Sequence, residues 1–184
     1  MQKPNLLVDK LPTTVNVNGA EYPIRSDFRT FILFEILLMD GNHSRYEKVD
    51  IGCALVYEEG NVPPDRDEAF NMALWFYRCG HEGKVGGNVE QTYCFEREDD
   101  LIFSAFYQQY GIDLAEVEYM HWWKFRALFS ALRDTVISDL ISARSYTGTE
   151  KSRLELKRKA ALPQIQTKES QEALEDFNAI FYGS

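Results

Sequence analysis

The sequence predicts a mainly α protein: a helical domain with an N-terminal β-hairpin and a C-terminal helical arm. Three observations predict it. Asn18-Gly19 sits between alternating apolar residues, which is a hairpin signal. From Ser26 to about residue 145, apolar residues recur at helical spacing between capping and stop signals. Beyond that, a charged stretch broken by Pro163 leads into a narrow apolar stripe.

The hairpin comes first. Asn18 and Gly19 suit a type I′ turn, in which both central residues need φ > 0. A two-residue loop pairs Val17 with Ala20, Val15 with Tyr22 and Thr13 with Ile24, giving one apolar face. Pro23 cannot donate to a ladder, so its strand belongs at an edge. A lone hairpin is marginal and must dock on something.

Helices follow. Phe28 to Met39 is apolar nearly all round and is expected to be buried, with Gly41-Asn42 ending it. A second helix runs from about Tyr46 to Glu58, before Gly60 and Pro63-Pro64. Asp65, three residues before Glu68, starts a third through Phe70, Trp75 and Phe76 to a Gly80 stop. His81 to Gln91, with Gly83, Gly86 and Gly87, reads as a mobile loop. A helix from about Asp99 to Tyr110 comes next. Asp113 and Glu116 are then expected to cap a helix carrying Trp122 and Trp123 and ending near Arg133. Asp134 is expected to cap one more helix, through Val136, Leu140 and Ile141.

The tryptophan helix has two apolar arcs. With Met120 at zero, Val117, Leu128, Leu114, Leu132, Phe125, Phe129 and Trp122 span roughly 60° to 200°. Trp123, Ala127, Met120 and Ala131 form a second arc, and Tyr119, Arg126, Ser130 and Arg133 a wet stripe. Such a helix is either central to its domain or packs on its own core and on a partner. A buried aromatic removes roughly 150–250 Å² from water, worth roughly 4–6 kcal/mol before ordering costs. Trp122 and Trp123 are large terms either way: as core, or as anchors for a partner.

The organisation expected is therefore a hairpin over 1–25, a helical body over 26–145, a charged helix over 146–163 and a C-terminal amphipathic helix or arm over 164–184. In that last part Ala173, Leu174, Phe177, Ile180 and Phe181 make the stripe. Phe177 and Phe181 are its aromatic candidates for a partner, in cis or on a neighbour.

Composition narrows the function. The 184 residues are 45% hydrophobic and 14% aromatic, too apolar for general disorder. Three scattered cysteines argue against a disulfide framework and for a reducing, intracellular setting. No signal-peptide pattern follows Met1, and the most apolar window, Phe28–Met39, is too short to span a bilayer. The expectation is a protein of the cytoplasm with no membrane partner. The net charge of −9 is uneven. Residues 1–143 carry 13 basic against 23 acidic residues, −10, whereas residues 144–160 carry six against two, +4. An acidic body repels phosphate backbones, which makes nucleic acid an unfavoured partner. Lys157 and Arg158, in the basic segment, suit a solvated helix or docking to an acidic partner. They lack the interleaved aromatics and glycines of single-strand binders.

Sites of chemistry are faint. Cys79-Gly80-His81 with Cys94, and His121 or Cys53 as a fourth ligand, has loose spacing and no CxxC knuckle, so no metal is expected. Pro64-Asp65 followed by Glu82-Gly83-Lys84 matches the string of a restriction-type nuclease. That chemistry needs adjacent strands around Mg²⁺, and here Asp65 starts a helix. Gly83-Lys84-Val85-Gly86-Gly87 lacks the Gly-Lys-Ser/Thr of a phosphate loop. Glu98-Asp99-Asp100 opens a helix and complements its dipole. Glu35 is read as paired with an arginine rather than as a shifted general acid, and His121 as a hydrogen-bonded core histidine. No nucleophile–base set emerges, so neither an enzyme nor a cofactor is expected.

Several separated strings point to one family. They are Leu11-Pro12-Thr13, Asn18-Gly19, Tyr22-Pro23-Ile24 and Asp27-Phe28-Arg29; Pro63-Pro64; and Ala73-Leu74-Trp75-Phe76-Tyr77-Arg78-Cys79-Gly80. Then come Ala105-Phe106-Tyr107, Tyr110-Gly111-Ile112-Asp113-Leu114 and His121-Trp122-Trp123-Lys124-Phe125-Arg126-Ala127-Leu128-Phe129. Through these, over about residues 10–163, the chain resembles the bacteriophage gene-product-fifteen family of long-tailed phages and prophages of Gram-positive hosts. The resemblance implies a gene in the tail module, near those of the major tail protein and the tape-measure protein. It also implies a tail assembly chaperone that coats the apolar tape-measure protein in the host cytoplasm and is absent from the finished virion. Self-association is left open. The family supplies no catalytic residues. The segment after Ser145 departs from its pattern, reading Tyr146-Thr147-Gly148-Thr149-Glu150 and then Lys157-Arg158-Lys159-Ala160-Ala161-Leu162-Pro163. Other classes carried with it are a structural subunit of the mature tail and a metal-dependent nuclease.

Overall fold

The computed structural model describes residues 3–81 and 92–145, which divide between two compact units. The first holds described residues 3–81 and 119–127, the second 92–118 and 128–145. The stretch 26–145, expected as one body, is thus shared between them. The expected fold class holds: the protein is mainly α with a two-stranded N-terminal hairpin.

In the first unit β1 (Thr14–Val17) pairs antiparallel with β2 (Ala20–Pro23), in the register set by the two-residue loop. Asn18 and Gly19 take φ of 51° and 88°, as a type I′ turn requires. Val15 and Val17 are buried and β1 packs on α3 (Arg66–Tyr77), so the hairpin does not stand alone. The apolar face is unequally buried, because Tyr22 is half-buried and Ala20 exposed.

Helix α1 (Phe28–Met39) has the expected bounds. Asp27 is its N-cap, accepting from Arg29 N. Phe28, Phe31, Phe34, Leu37 and Leu38 are buried, and Leu33 is exposed. Helix α2 (Arg45–Val56) starts one residue before the expected place because Ser44 and Glu47 form a reciprocal capping box. Its Lys48 is fully buried and its Nζ donates to Leu38 O at 3.0 Å, at the carboxyl end of α1. Gly52 lets α2 approach its neighbours. A Cβ there would sit 2.7 Å from Phe70 and 2.9 Å from Phe34. Asp65 caps α3 by accepting from Glu68 N at 3.1 Å.

In the second unit α4 (Asp99–Tyr110) also has its expected bounds and ends on Gly111, in the left-handed region at φ 65°. Phe95, Ile102, Ala105, Phe106, Phe129, Leu132 and Ile137 are its buried apolar residues. Helix α6 (Val136–Arg144) is capped by Thr135 and Ser138, not by the expected Asp134, which lies one residue too early with φ 54°. Thr135 is extended and can turn its hydroxyl onto Ser138 N.

The tryptophan helix departs most from expectation. It is α5, Trp122–Ser130, and does not begin near Asp113. Asp113 does accept from Ala115 N and Glu116 N, but it caps only an isolated turn. The chain before Trp122 is pulled into extended pairing instead. Trp122 N donates to Ser26 O and Phe28 N to Met120 O, both at 2.8 Å, and Asp27 pairs with His121. Met120 N then donates to Asp27 Oδ2 at 3.1 Å. Asp27 lies 93 residues from Met120 and the other pairings are as distant, so local periodicity could not signal them. Leu114, Val117 and Met120 therefore do not belong to the helical wheel that predicted two apolar arcs. Of the loop expected over His81 to Gln91 all but His81 lies outside the described residues, as do the charged segment and the C-terminal stripe.

Candidate functional site

The first unit is organised around aromatic rings from α1, α3 and α5. Phe31 stacks on Phe76 at 4.8 Å and on Trp122 at 5.7 Å. Trp122 in turn stacks on Tyr77 at 5.6 Å and on Phe125 at 5.7 Å. Trp123 meets Trp75 and Phe76 at 5.7 and 5.4 Å. Both indoles are consumed internally, Trp122 at 0% exposure and Trp123 at 1%. Their use as a docking face is therefore corrected: within this chain they are core.

Burying both rings leaves two indole N–H groups to satisfy, and the end of α3 supplies the acceptors. Trp122 Nε1 donates to Tyr77 O and Trp123 Nε1 to Phe76 O, each at 2.8 Å. These are adjacent carbonyls in the last turn of α3, where a helix leaves acceptors without intrahelical partners. The remaining acceptors there are met as well. Leu74 O takes Arg78 N, Trp75 O takes Gly80 N, and Phe76 O also takes Cys79 N. That is a Schellman-type ending with Cys79 at φ 56° and Gly80 at φ 73°. A Cβ on Gly80 would stand 3.1 Å from the Trp123 ring and 3.0 Å from Lys3. Adjacent tryptophans on α5 thus close the carboxyl end of α3 with two parallel hydrogen bonds.

His121 prepares this arrangement. It is buried, and its Nδ1 accepts from Trp123 N at 3.0 Å while its Nε2 lies 2.9 Å from Pro12 O. The ring is therefore neutral with the proton on Nε2, donating to Pro12 O. Burial lowers its pKa, against a smaller raising effect of the Pro12 hydrogen bond. The expectation of a hydrogen-bonded core histidine agrees with this position, which caps α5 and does not ride on it.

The other candidate groups are built into local structure. Glu35 is buried and accepts from the Tyr77 hydroxyl. Burial pushes the Cys53 and Cys79 thiols up to about 11, well away from a reactive thiolate at neutral pH. Asp65 is the α3 cap, its carboxyl held low by hydrogen bonds from Glu68 N and the Asn18 side chain. Among the described residues, no cluster of three or more His, Cys, Asp or Glu could hold a metal ion. In the second unit Glu98 precedes α4 but its side chain does not cap it; the carboxylate accepts from Cys94 N. It also forms a buried charge pair with Arg144 at 2.7 Å. Arg144 Nη2 has no aligned hydrogen bond, so this pair is a charge contact first. Phe177, Phe181, Lys157, Arg158, Glu82 and Lys84 lie outside the described residues.

The outward apolar surface is elsewhere, and the sequence reading missed it. Asn5 to Asp9 form a turn closed by its own side chains: Asn5 N donates to Asp9 Oδ2 at 2.8 Å and Leu7 N to Asn5 Oδ1 at 3.0 Å. Val8 N and Asp9 N both donate to Asn5 O. Between the polar ends Leu6, Leu7 and Val8 face solvent, Leu7 at 91% and Val8 at 79% exposure. Scattered exposed apolar residues are ordinary, but three in succession on a locked turn are not. The signal was present as Leu-Leu-Val bracketed by Asn and Asp, two residue types that close turns through their side chains. In the second unit, α4 exposes Phe103 and Tyr107 one turn apart.

No helix among the described residues is long and apolar enough to cross a membrane. No curated protein and no solved structure matches the chain. A family model described as Bacteriophage Gp15 protein does match, over residues 7–170, which takes in the hairpin, the aromatic core and the tryptophan helix. With most of its length covered, the chain belongs to the bacteriophage Gp15 protein family.

Proposed function

We propose that this protein is a non-enzymatic tail assembly chaperone, which binds the tape-measure protein in the host cytoplasm before the tail tube polymerises. The observation that carries the reading is the Leu6-Leu7-Val8 turn: adjacent apolar side chains held outward by Asn5 and Asp9 rather than by a core. Such a display costs solvation and gains nothing in the isolated chain. An apolar helical client would recover that loss on contact. The acidic balance of residues 1–143 suits holding an aggregation-prone partner in solution, since net charge opposes self-association. The tryptophans are buried and do not form this surface.

Co-expression tests this. The tape-measure protein should stay soluble with the wild-type chain and precipitate with a Leu7→Asp/Val8→Asp variant. Equal solubility with and without the chain would end the chaperone reading. Its recovery in purified virions at tail-subunit stoichiometry would replace that reading with a structural subunit of the tail.

A further inference from the structure

We propose that Asn18-Gly19 is a deamidation site held in check by a clasp between the Asn18 carboxamide and Asp65, so that opening of the hairpin is recorded as an irreversible change. This inference is independent of the client. In an exposed Asn-Gly pair the glycine nitrogen is approachable because no Cβ shields it. The reaction is attack of Gly19 N on Asn18 Cγ. The Cγ–Nδ2 bond breaks, ammonia leaves with the proton given up by Gly19 N, and a succinimide closes. Water then opens the ring at either carbonyl, leaving aspartate or isoaspartate at position 18. No oxidant or reductant is involved.

Two contacts oppose the first step. Asn18 Nδ2 donates to Asp65 Oδ2 at 3.0 Å, which holds the carboxamide on the α3 cap. Gly19 N donates to Asn16 Oδ1 at 3.0 Å, so the nucleophile is engaged as a donor. Asp65 is fixed in its turn by Glu68 N on its other oxygen. The product cannot restore the clasp. A carboxylate at position 18 would face the Asp65 carboxylate at hydrogen-bond distance, where two like charges cannot both stay ionised without separating. Isoaspartate would also lengthen a loop whose two residues fix the Val17–Ala20 pairing. Either way the turn is released from α3.

Peptide mapping by mass spectrometry on the full chain tests this at neutral pH. Deamidation at Asn18 should be about tenfold slower in the native protein than in urea, the factor a hydrogen bond to a charged group can supply. Asp65→Ser keeps an N-cap oxygen but cannot reach Asn18, and should move the native rate toward the unfolded one. Asn18→Asp, imitating the product, should speed hydrogen exchange of hairpin amides, Ile24 among them. Equal rates in native and unfolded chain, no response to Asp65→Ser, or unchanged exchange in Asn18→Asp would each overturn the proposal.

Discussion

Trp122-Trp123 and Leu6-Leu7-Val8 are both runs of large apolar residues, and the fold treats them in opposite ways. The first pair is sealed at 0% and 1% exposure, while Leu7 and Val8 stand at 91% and 79%. Hydrophobicity does not separate them. The difference is where the neighbouring backbone finds its hydrogen bonds. The tryptophan side chains answer two carbonyls at the end of α3, and the backbone before them pairs with residues 26–28. In the N-terminal turn the N–H groups of Asn5, Leu7, Val8 and Asp9 are met within the turn, by Asn5 and Asp9. Bulk apolar character shows how much free energy is at stake. Polar satisfaction sets whether burial of those side chains can be completed without orphaned backbone groups.

Substitutions at the two places should therefore behave oppositely. The largest effect is expected at the core: Trp122→Ala removes a buried ring together with its hydrogen bond to Tyr77 O, and should cost about 3–5 kcal/mol in urea denaturation. Leu7→Ser should change stability by less than about 0.5 kcal/mol. A comparable loss at Leu7 would mean that the turn is core after all. Next comes Gly52→Ala. Its Cβ would fall 2.7 Å from Phe70 and 2.9 Å from Phe34, and overpacking of this kind costs about 1–3 kcal/mol. Unchanged thermal unfolding would show that the α1–α2–α3 contact has slack.

A smaller, pH-dependent effect should come from His121. Its folded pKa lies below the ordinary 6.5, so between the two values the unfolded chain binds more protons than the folded one. The stability this supplies is whole above the unfolded pKa and is lost as pH falls through the folded one. Denaturation midpoints should decline across that window in the wild type, and the His121 share should vanish in His121→Gln. Smallest of all, Asp9→Ala should loosen the turn by a few tenths of a kcal/mol, seen as faster exchange of the Asn5 amide with the global midpoint unchanged.

The same contrast marks what could be read from sequence. The hairpin register, the bounds of α1 and α4 and the Asp65 cap were legible because each depends on residues within a few positions. Leu114, Val117 and Met120 repeat every three residues and imitate a helix, yet residues 119–122 answer to Ser26, Asp27 and Phe28. That pairing is invisible locally, so periodicity extends the tryptophan helix too far and leaves core and partner both open as uses for its second arc. The exposed turn was overlooked for the opposite reason. Leu6, Leu7 and Val8 are too few to form a periodic pattern, and only the flanking Asn5 and Asp9 carried the signal.

The most direct test of the central claim is calorimetric titration of the purified chain with tape-measure protein, in the wild type and in Leu7→Asp/Val8→Asp, with tryptophan emission followed throughout. Binding should be lost in the variant at an unchanged melting temperature, and the wild-type emission should not shift when the client binds. Undiminished binding by the variant, or a shift of the indole emission as the client binds, would return the docking site to the tryptophans and contradict this account.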